Sequence, residues 1–457
     1  MTSLRNSCTG LAPVHVFLKT AGVVAAFALA AVPVSAAQAA SKPAAQARPV
    51  SGQSVDTFYR ARNGALLWLA PGAGDAAQQL IVTLSNARFD GLDPDRYRVS
   101  DLNEALAKAS RGDRKAIAHA DEQLSEAFAT YVADLRRDPG LGVMYVDAQL
   151  KPTPPSPLAA LLEAAAAPSL SSYVRTMGWM NPTYGELRQG LMRHSYSSDR
   201  ERELLMLNLE RARLLPPGKG KYIVVNAAQQ RLFMWEDGRA VDSMRVVVGK
   251  PKYPTPMMSA YVRFAALNPY WYVPPDLAAE RIAPTVVKRG LKYLNELGHQ
   301  VVSDWSPNAT IVDPSTIDWK AVAEGKQEVL IRQLPGPHNS MGRMKFMFPN
   351  EAGVYLHDNP ERELFSEASR LYSGGCVRLE DAARLGHWLF GRDLVWEGAG
   401  TEEQVPLATP VPVYITYLTA VPENGSIAYL SDVYGRDAAR MAQKAGGDSS
   451  AFAAAAK

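Results

Sequence analysis

YLHDNPERELFSEASRLYSGGCVR, residues Tyr355–Arg378, is the stretch on which the reading of the whole chain depends. It holds His357 and, nineteen positions later, Cys376, the only cysteine downstream of an N-terminal apolar segment. The nucleophilic form of cysteine is the thiolate, which at neutral pH needs an imidazole or a positive local field, so a Cys with a His is a minimal acyl-transfer pair. Ser373-Gly374-Gly375 precede the thiol. Two glycines let the backbone turn sharply and direct successive N–H groups at one point, where an oxyanion would develop. The following Val377–Leu385 has helical apolar spacing with acids in its first turn. That predicts Cys376 just before a helix N-terminus, whose positive end favours thiolate. A free cysteine is more often a small buried hydrophobe than a nucleophile. Here Gly-Gly-Cys-Val-Arg is poor core filling, and an exported protein exposes an unpaired thiol to oxidation, so the nucleophile reading is preferred.

At 457 residues the chain exceeds one ordinary core, and two or three domains are expected. Met1–Lys19 carries Arg5 and Lys19 and no acid, Ala21–Val34 is an apolar run, and Val34-Ser35-Ala36 or Ala37-Gln38-Ala39 offers a small-residue cleavage site. The pattern predicts a secretory signal over residues 1–39. An uncleaved membrane anchor is the alternative, disfavoured because the run is short for a span. Cys8 lies before the apolar run, which argues against a lipoprotein anchor. Loss of the two basic leader residues lowers the formal charge from +3 to +1, so charge gives no argument for nucleic acid or anionic lipid as partner. No His/Cys/carboxylate spacing of metal-ligand type occurs, and no cofactor is expected.

Residues 40–53, rich in Ala, Ser, Pro and Lys, read as a linker. From Val55 the pattern turns helical. Phe58-Tyr59-Arg60 leads to Ala65–Leu69, Gln78–Ala87 ends before the turn cluster Asp90–Pro94, and Leu102–Ala109 and Ala116–Leu135 keep apolar spacings of three and four. Lys151–Pro157 interrupts the pattern with prolines, and Glu201–Leu215 closes a helical domain over residues 54–215. At Lys221 the period changes to alternation. Tyr222–Val225, Arg231–Trp235 and Val241–Val248 read as strands, the last two joined by a hairpin turn at Glu236–Arg239. Such a meander can wrap into a sandwich or open barrel. Tyr270, Trp271 and Tyr272, stiffened by Pro274-Pro275, are either a wall for a peptide or core packing. Asp276–Asn339 is a polar insertion, helical around Ala283–Leu297 and loop to Asp318; long insertions beside a site are often lids. His338, in a Pro-Gly-Pro context, reads as a loop hydrogen-bonding residue. His357 ends an alternating strand, Leu379–Phe390 is a helix, Val411–Leu418 a late strand, and the Ala-rich 438–457 a frayed tail. The expected fold class is α+β, a helical N-terminal domain followed by a β-rich one.

His357, Ser373, Gly375, Cys376, Val377 and Arg378 together resemble the signature of the L,D-transpeptidases with the YkuD-type catalytic domain, which remodel bacterial peptidoglycan. The chain departs at Gly374, where many members carry a second histidine, which leaves His357 as the only motif base. The larger Gram-negative branch often has a small residue there. MRVVVGKPKYPTP (Met244–Pro256), NPYWYVPPDLA (Asn268–Ala278) and Ser426–Asp437 are similar to that catalytic region, while FYRARNGALLWL and FDGLDPDRY resemble the N-terminal scaffold of the larger members. Tyr184–Ser198 leaves no room for the small peptidoglycan-binding module that those members insert.

The resemblance implies a catalytic domain over residues 219–437 with a capping insertion at about 276–339, a periplasmic location, acylation by carbapenems, and no metal. Its implied partners are peptidoglycan stem peptides as donor and acceptor, with cell-wall synthesis or remodelling proteins beside them. On this reading Cys376, deprotonated by His357, attacks the carbonyl of the third, diamino-acid residue of a tetrapeptide stem and expels the terminal D-Ala. The N–H groups of Gly375 and Cys376, with Gly374, hold the oxyanion, and an amine of a second stem takes the acyl group. Arg378 is expected to bind a stem carboxylate or to brace the loop, with Tyr355, Trp271, Ser373 and Asn359 also around the substrate. The same acyl-enzyme resolved by water would make an L,D-carboxypeptidase. Outside the enzymes, a non-catalytic wall-binding scaffold fits the large helical half.

Overall fold

The computed structural model describes residues 52–306, 309–398 and 402–444. The expected signal segment and nearly all of the expected linker lie outside the described residues. The N-terminal half is helical, from Gly52–Ala61 to Asp199–Ala212, with the 22-residue Arg114–Leu135 as its longest helix. Local chemistry starts these helices. Asp113 accepts from the N–H groups of Lys115 and Ala116, Pro157 and Pro182 follow the caps Ser156 and Asn181, and the cap Ser198 accepts from Glu201 N–H while the Glu201 carboxylate accepts from Ser197 N–H. Phe58, Trp68, Leu124, Phe128, Tyr131 and Tyr184 fill the core.

Two buried carboxylates organise this half. Asp121 accepts from the backbone N–H groups of Leu67, Trp68 and Leu69 and from the Tyr59 hydroxyl. Residues 62–75 are therefore a turn-rich segment pinned to the long helix, where the sequence pattern had suggested helix through Leu69. Asp90 pairs with Arg188 at 2.8 Å and accepts from the hydroxyls of Tyr131 and Tyr184, each at 2.6 Å.

Beyond Lys221 the strands close into a barrel. Around it run Met258–Leu267, Met344–Met347, Leu356–His357, Val377–Leu379, Arg239–Gly249, Arg231–Glu236, Lys221–Asn226 and Glu403–Thr416, and the last pairs back onto the first. Closure removes the free edges that an open barrel would keep. The hairpin turn falls at Asp237-Gly238, both at positive φ, as a two-residue turn between right-twisted strands requires. Val225, Val246, Val248, Phe346, Leu356 and Val377 point into the core, and the helix Ala382–Phe390 packs Leu385 and Leu389 against them. The helical half contributes a strand of its own, Met144–Tyr145, parallel to Met258–Ser259.

The insertion is more strand-rich than its sequence suggests. Trp271–Val273, Leu330–Gln333, His299–Val302 and Ile311–Val312 form a four-stranded sheet in that order, with helical turns from Pro275 to Glu296 and a core of Val273, Ile282, Val286, Leu294, Trp319 and Ile331. Strands of two to four residues are too short for alternation to show. Glu280 ties this cap to the loop before the barrel strand Met258–Leu267: it takes Lys250 and Lys252, each at 3.0 Å, and the Tyr253 hydroxyl, and these bonds hold its carboxyl down at about 2. At the C-terminus residues 436–444 are helical, and Lys444 and Arg440 pair with Glu210, so the fraying expected from Ala438 does not begin there.

Candidate active site

Strand register builds the site. Leu356–His357 runs antiparallel to Met344–Met347, with His357 opposite Lys345, and parallel to Val377–Leu379, with His357 opposite Arg378. Because Leu356, Val377 and Phe346 face the barrel core, alternation turns His357, Lys345 and Arg378 to the outer face, together with Tyr355 and Cys376. Cys376 and His357 are then diagonal neighbours on adjacent strands, a spacing of roughly 7–8 Å that two side chains can span. The helix expected directly after Cys376 is absent. Val377–Leu379 is a strand, and the helix starts at Ala382 with Asp381 as its cap. Over so few residues the two periodicities cannot be separated, and burial of Val377 and Leu379 in the barrel decides for strand.

The loop before the thiol is held from several sides. Ser373 Oγ donates to the Cys376 carbonyl at 2.6 Å and accepts from Gly375 N–H at 3.1 Å. The Gly375 carbonyl accepts from Thr255 Oγ1 at 2.8 Å, and Thr255 Oγ1 accepts from Gly249 N–H. This explains the Gly249–Thr255 turn, where a Cβ on Gly249 would stand 2.0 Å from the Tyr253 carbonyl. Gly375, at φ 115°, occupies a conformation closed to most L-residues. With the Gly375 amide committed to Ser373, the N–H groups of Gly374 and Cys376 are those left without a partner among the described residues. Ser373 is buried and acts on this turn.

Gly374 is exposed, and a Cβ there would lie 3.0 Å from Leu277 Cδ1 on the cap. That contact gives a physical reason for the missing second histidine. Gly374→His should force the cap outward at a cost of about 1–3 kcal/mol. The expected outcome is reduced acylation of Cys376 that Leu277→Ala restores, measured on both single variants and the double; no rescue would mean that Leu277 is not what excludes the side chain.

His357 is 1% exposed, and its Nδ1 lies 2.7 Å from the Asp358 carbonyl. A carbonyl only accepts, so Nδ1 carries the proton and Nε2 is left as the basic nitrogen. Burial, then the neighbouring Arg378 and Lys345 charges, push the imidazole down to about 3. The Cys376 thiol is half-buried and donates to the Gly353 carbonyl at 3.4 Å. Burial pushes it up to about 11, against the opposing pull of the Tyr355 backbone and Arg378. The resting pair is therefore neutral thiol and neutral imidazole.

Arg378 Nη1 pairs with Glu361 at 2.7 Å and donates to Asn359 Oδ1 at 3.2 Å, while Asn359, fully buried, donates to the Glu361 carbonyl. Of the two roles expected for Arg378, bracing the loop is the one these contacts perform. Tyr355 is half-buried, and burial together with the Cys376 charge pushes its hydroxyl up to about 12. Trp271 both packs on the cap core and, with Arg378, Asn359, Arg281 and His299, lines a cleft of about 480 Å³ under the cap. His338 also lines it, and its carbonyl accepts from Gln333, the loop hydrogen bond expected of that segment. Sequence reasoning missed the Asp358 carbonyl, Gly353, Thr255, Leu277, Glu280 and His299. The GKPKYPTP segment was a signal for Thr255, but carbonyl groups and cap contacts leave no mark in a sequence window. Among the described residues there is no cluster of three or more His, Cys, Asp or Glu fit to hold a metal, and no helix long and apolar enough to cross a membrane.

Two buried imidazoles make stability pH-dependent. His299 is likewise held down, at about 4, by burial. Above the ordinary histidine value of 6.5 both rings are neutral folded or unfolded; below it the unfolded chain gains protons that the folded chain refuses until about pH 4 and 3. Stability is thus complete above pH 6.5 and falls as pH drops from 6.5 toward 4, by about 2 kcal/mol per ring at pH 5. A thermal scan should show Tm falling through that window; a flat Tm from pH 6.5 to 4.5 would contradict buried neutral rings.

Comparison with known proteins places this barrel. Residues 220–413 match the model of the L,D-transpeptidase catalytic domain, YkuD, and residues 53–191 match the Scaffold domain. The chain thus carries a YkuD-type L,D-transpeptidase catalytic domain behind a Scaffold domain. A Haemophilus influenzae protein named "Putative L,D-transpeptidase" is 29% identical over 285 residues, which are 60% of this chain and 57% of that relative, so the chain spans little more than half of its length. Among solved structures, an L,D-transpeptidase from Mycobacterium smegmatis is similar at 15% identity, TM-score 0.21, over 43% of this chain and 59% of its own. The E. faecium L,D-transpeptidase catalytic domain acylated by ertapenem is similar at 16% identity, TM-score 0.20, over 43% and 97%.

Proposed function

We propose that this protein is an exported, periplasmic L,D-transpeptidase that cross-links peptidoglycan stem peptides through an acyl-enzyme on Cys376. The observation that carries the reading is the grouping, on the outer face of a matched L,D-transpeptidase barrel, of Cys376 and His357 with Nε2 left basic, beside the N–H groups of Gly374 and Cys376, which have no partner among the described residues. When a stem peptide binds, Cys376 Sγ leaves the Gly353 carbonyl and gives its proton to His357 Nε2 as it attacks the carbonyl of the third stem residue. The oxyanion takes the Gly374 and Cys376 amides, each worth about 3 kcal/mol to the transition state. Collapse breaks the bond to D-Ala, whose nitrogen receives the proton from His357. The side-chain amine of a second stem then attacks the thioester, passes a proton to His357, and the C–S bond breaks to return the thiol. Arg378 keeps the 358–361 loop, and through it the Asp358 carbonyl, in place.

The test is intact mass of the mature protein after incubation with meropenem, followed by product analysis on tetrapeptide stems. A single adduct, release of D-Ala and appearance of stem dimers support the reading. D-Ala release without dimers would make the protein an L,D-carboxypeptidase, and a folded, reduced protein that takes no adduct would leave a wall-binding scaffold.

A further inference from the structure

The Asp358 carbonyl that takes His357 Nδ1 lies outside the strand ladder, because its strand ends at His357. A carbonyl so placed can turn elsewhere unless the residue that bears it is fixed. Every other polar group of Asp358 is spent on fixing it. Its N–H donates to the Met344 carbonyl at 2.9 Å, its Oδ2 accepts from Arg343 N–H at 2.9 Å, and its Oδ1 accepts from Arg362 Nη2 at 2.7 Å. Arg362 Nη1 goes on to the Glu380 carbonyl at 2.6 Å. The carboxylate thus ties the end of the histidine strand to both of its neighbours. It reaches Met344–Met347 through Arg343, and Val377–Leu379, which follows Cys376 directly, through Arg362 and Glu380.

Two observations set this apart from an ordinary surface ion pair. Asp358 is 5% exposed, and the chain leaves room for its carboxylate: Gly342, at φ 64°, passes so close that a Cβ there would overlap Oδ2. The peptide plane that follows is held as well, since Asn359 is fully buried with both ends of its side chain bonded. The consequence falls on the imidazole. A neutral ring carries one proton, and the bond made by one nitrogen decides the state of the other. With the Asp358 carbonyl in place the proton stays on Nδ1 and Nε2 is a base. With the carbonyl turned away the proton can sit on Nε2, which then cannot take one from Cys376. Where a carboxylate touches a catalytic imidazole directly, loss of that tautomer control costs about 10⁴ in rate.

We propose that Asp358 is a positioning residue for His357: its side chain, held by Arg343 and Arg362, fixes the carbonyl that keeps the imidazole proton on Nδ1. The effect on rate rests on the transpeptidase reading, the effect on the ring does not, and the test reads both. Asp358→Asn keeps the shape but sets an amide NH2 against a donor, either Arg343 N–H or Arg362, so one tie is lost. Arg362→Met removes the tie to Glu380 from a side chain that is 53% exposed, and should fold as wild type does. The first readout is NMR of the His357 ring nitrogens in protein labelled with nitrogen-15 histidine, assigned by their loss in His357→Gln. The second is acylation by meropenem, resolved into its maximal rate and its half-saturating concentration. Wild type should show a protonated Nδ1 and a bare Nε2. Asp358→Asn should show a mixture of tautomers, with the maximal rate down about tenfold to a hundredfold and half-saturation within twofold; Arg362→Met should show the same change to a smaller extent. An unchanged tautomer in Asp358→Asn, or a changed one with acylation within twofold of wild type, would overturn the proposal. The same criteria apply to Arg362→Met, which decides alone if Asp358→Asn does not fold. A wild type that holds the Nδ1 proton yet takes no adduct would instead sink the transpeptidase reading.

Discussion

Cys376→Ala is expected to abolish acyl transfer, and His357→Gln to slow acylation of Cys376 by about 10²–10⁴-fold. The two effects follow from different facts. Alanine removes the bond-forming atom. Glutamine leaves the thiol in place but takes away the basic Nε2 on the strand beside it, and the thiol, held up at about 11, is almost wholly protonated at neutral pH. An enzyme resting as a thiolate–imidazolium pair would already hold its nucleophile and would titrate near its ordinary histidine value. Here acylation should show no inflection between pH 5.5 and 8, because the imidazole, held down at about 3, stays a base throughout. Stopped-flow acylation by meropenem across that range, on wild type and His357→Gln, checks both. A loss under tenfold in the variant, with Tm preserved, would remove His357 from the role of general base.

The second large effect is on folding: Asp90→Ala should cost about 3–5 kcal/mol. Asp90 and Arg188 have side-chain exposures of 0% and 5%, and Arg188 also holds the Thr83 and Asn86 carbonyls. Truncating the carboxylate strands a buried guanidinium and two tyrosine hydroxyls at once, where exchanging the whole pair for apolar groups would not. Arg188→Met should therefore recover part of the stability lost in Asp90→Ala. The measurement is the first calorimetric transition of wild type, Asp90→Ala and the double variant. Equal Tm values for wild type and Asp90→Ala would show that the pair is not buried in solution, and a double variant worse than the single would contradict the stranded-charge account.

Legibility differed sharply from one part of the molecule to another. The long helices were readable because Leu102–Ala109 and Ala116–Leu135 repeat apolar residues over two turns or more, and Asp237-Gly238 announced its hairpin by composition. The 62–75 segment misled, since its apolar residues serve a turn pinned by Asp121, a carboxylate more than 50 positions away. The cap sheet is hidden by strands of two to four residues, and the residues after Cys376 have the spacing of a helix but form a strand, because three residues cannot distinguish the two periods. Of the candidate site, Cys376 and His357 stand out by their pairing and Arg378 through the resemblance, and strand register turns the three to one face of the barrel. Ser373 and Asn359 instead brace loops, and Gly375 gives its N–H to Ser373, because each is fixed by a hydrogen bond to a neighbour two or three residues away.

What local pattern carried, then, was chemistry and element type: a thiol with an imidazole, a sharp glycine turn before it, helices first and strands after. Those depend on residues within a few turns of one another. Barrel closure, the sidedness that sets Cys376 beside His357, the burial that favours the neutral form of both, the Leu277 contact over Gly374 and the buried ring of His299 came from the folded molecule. Each is set by register between strands or by burial under a cap, and both arise between segments tens to hundreds of residues apart, where no sequence window reaches.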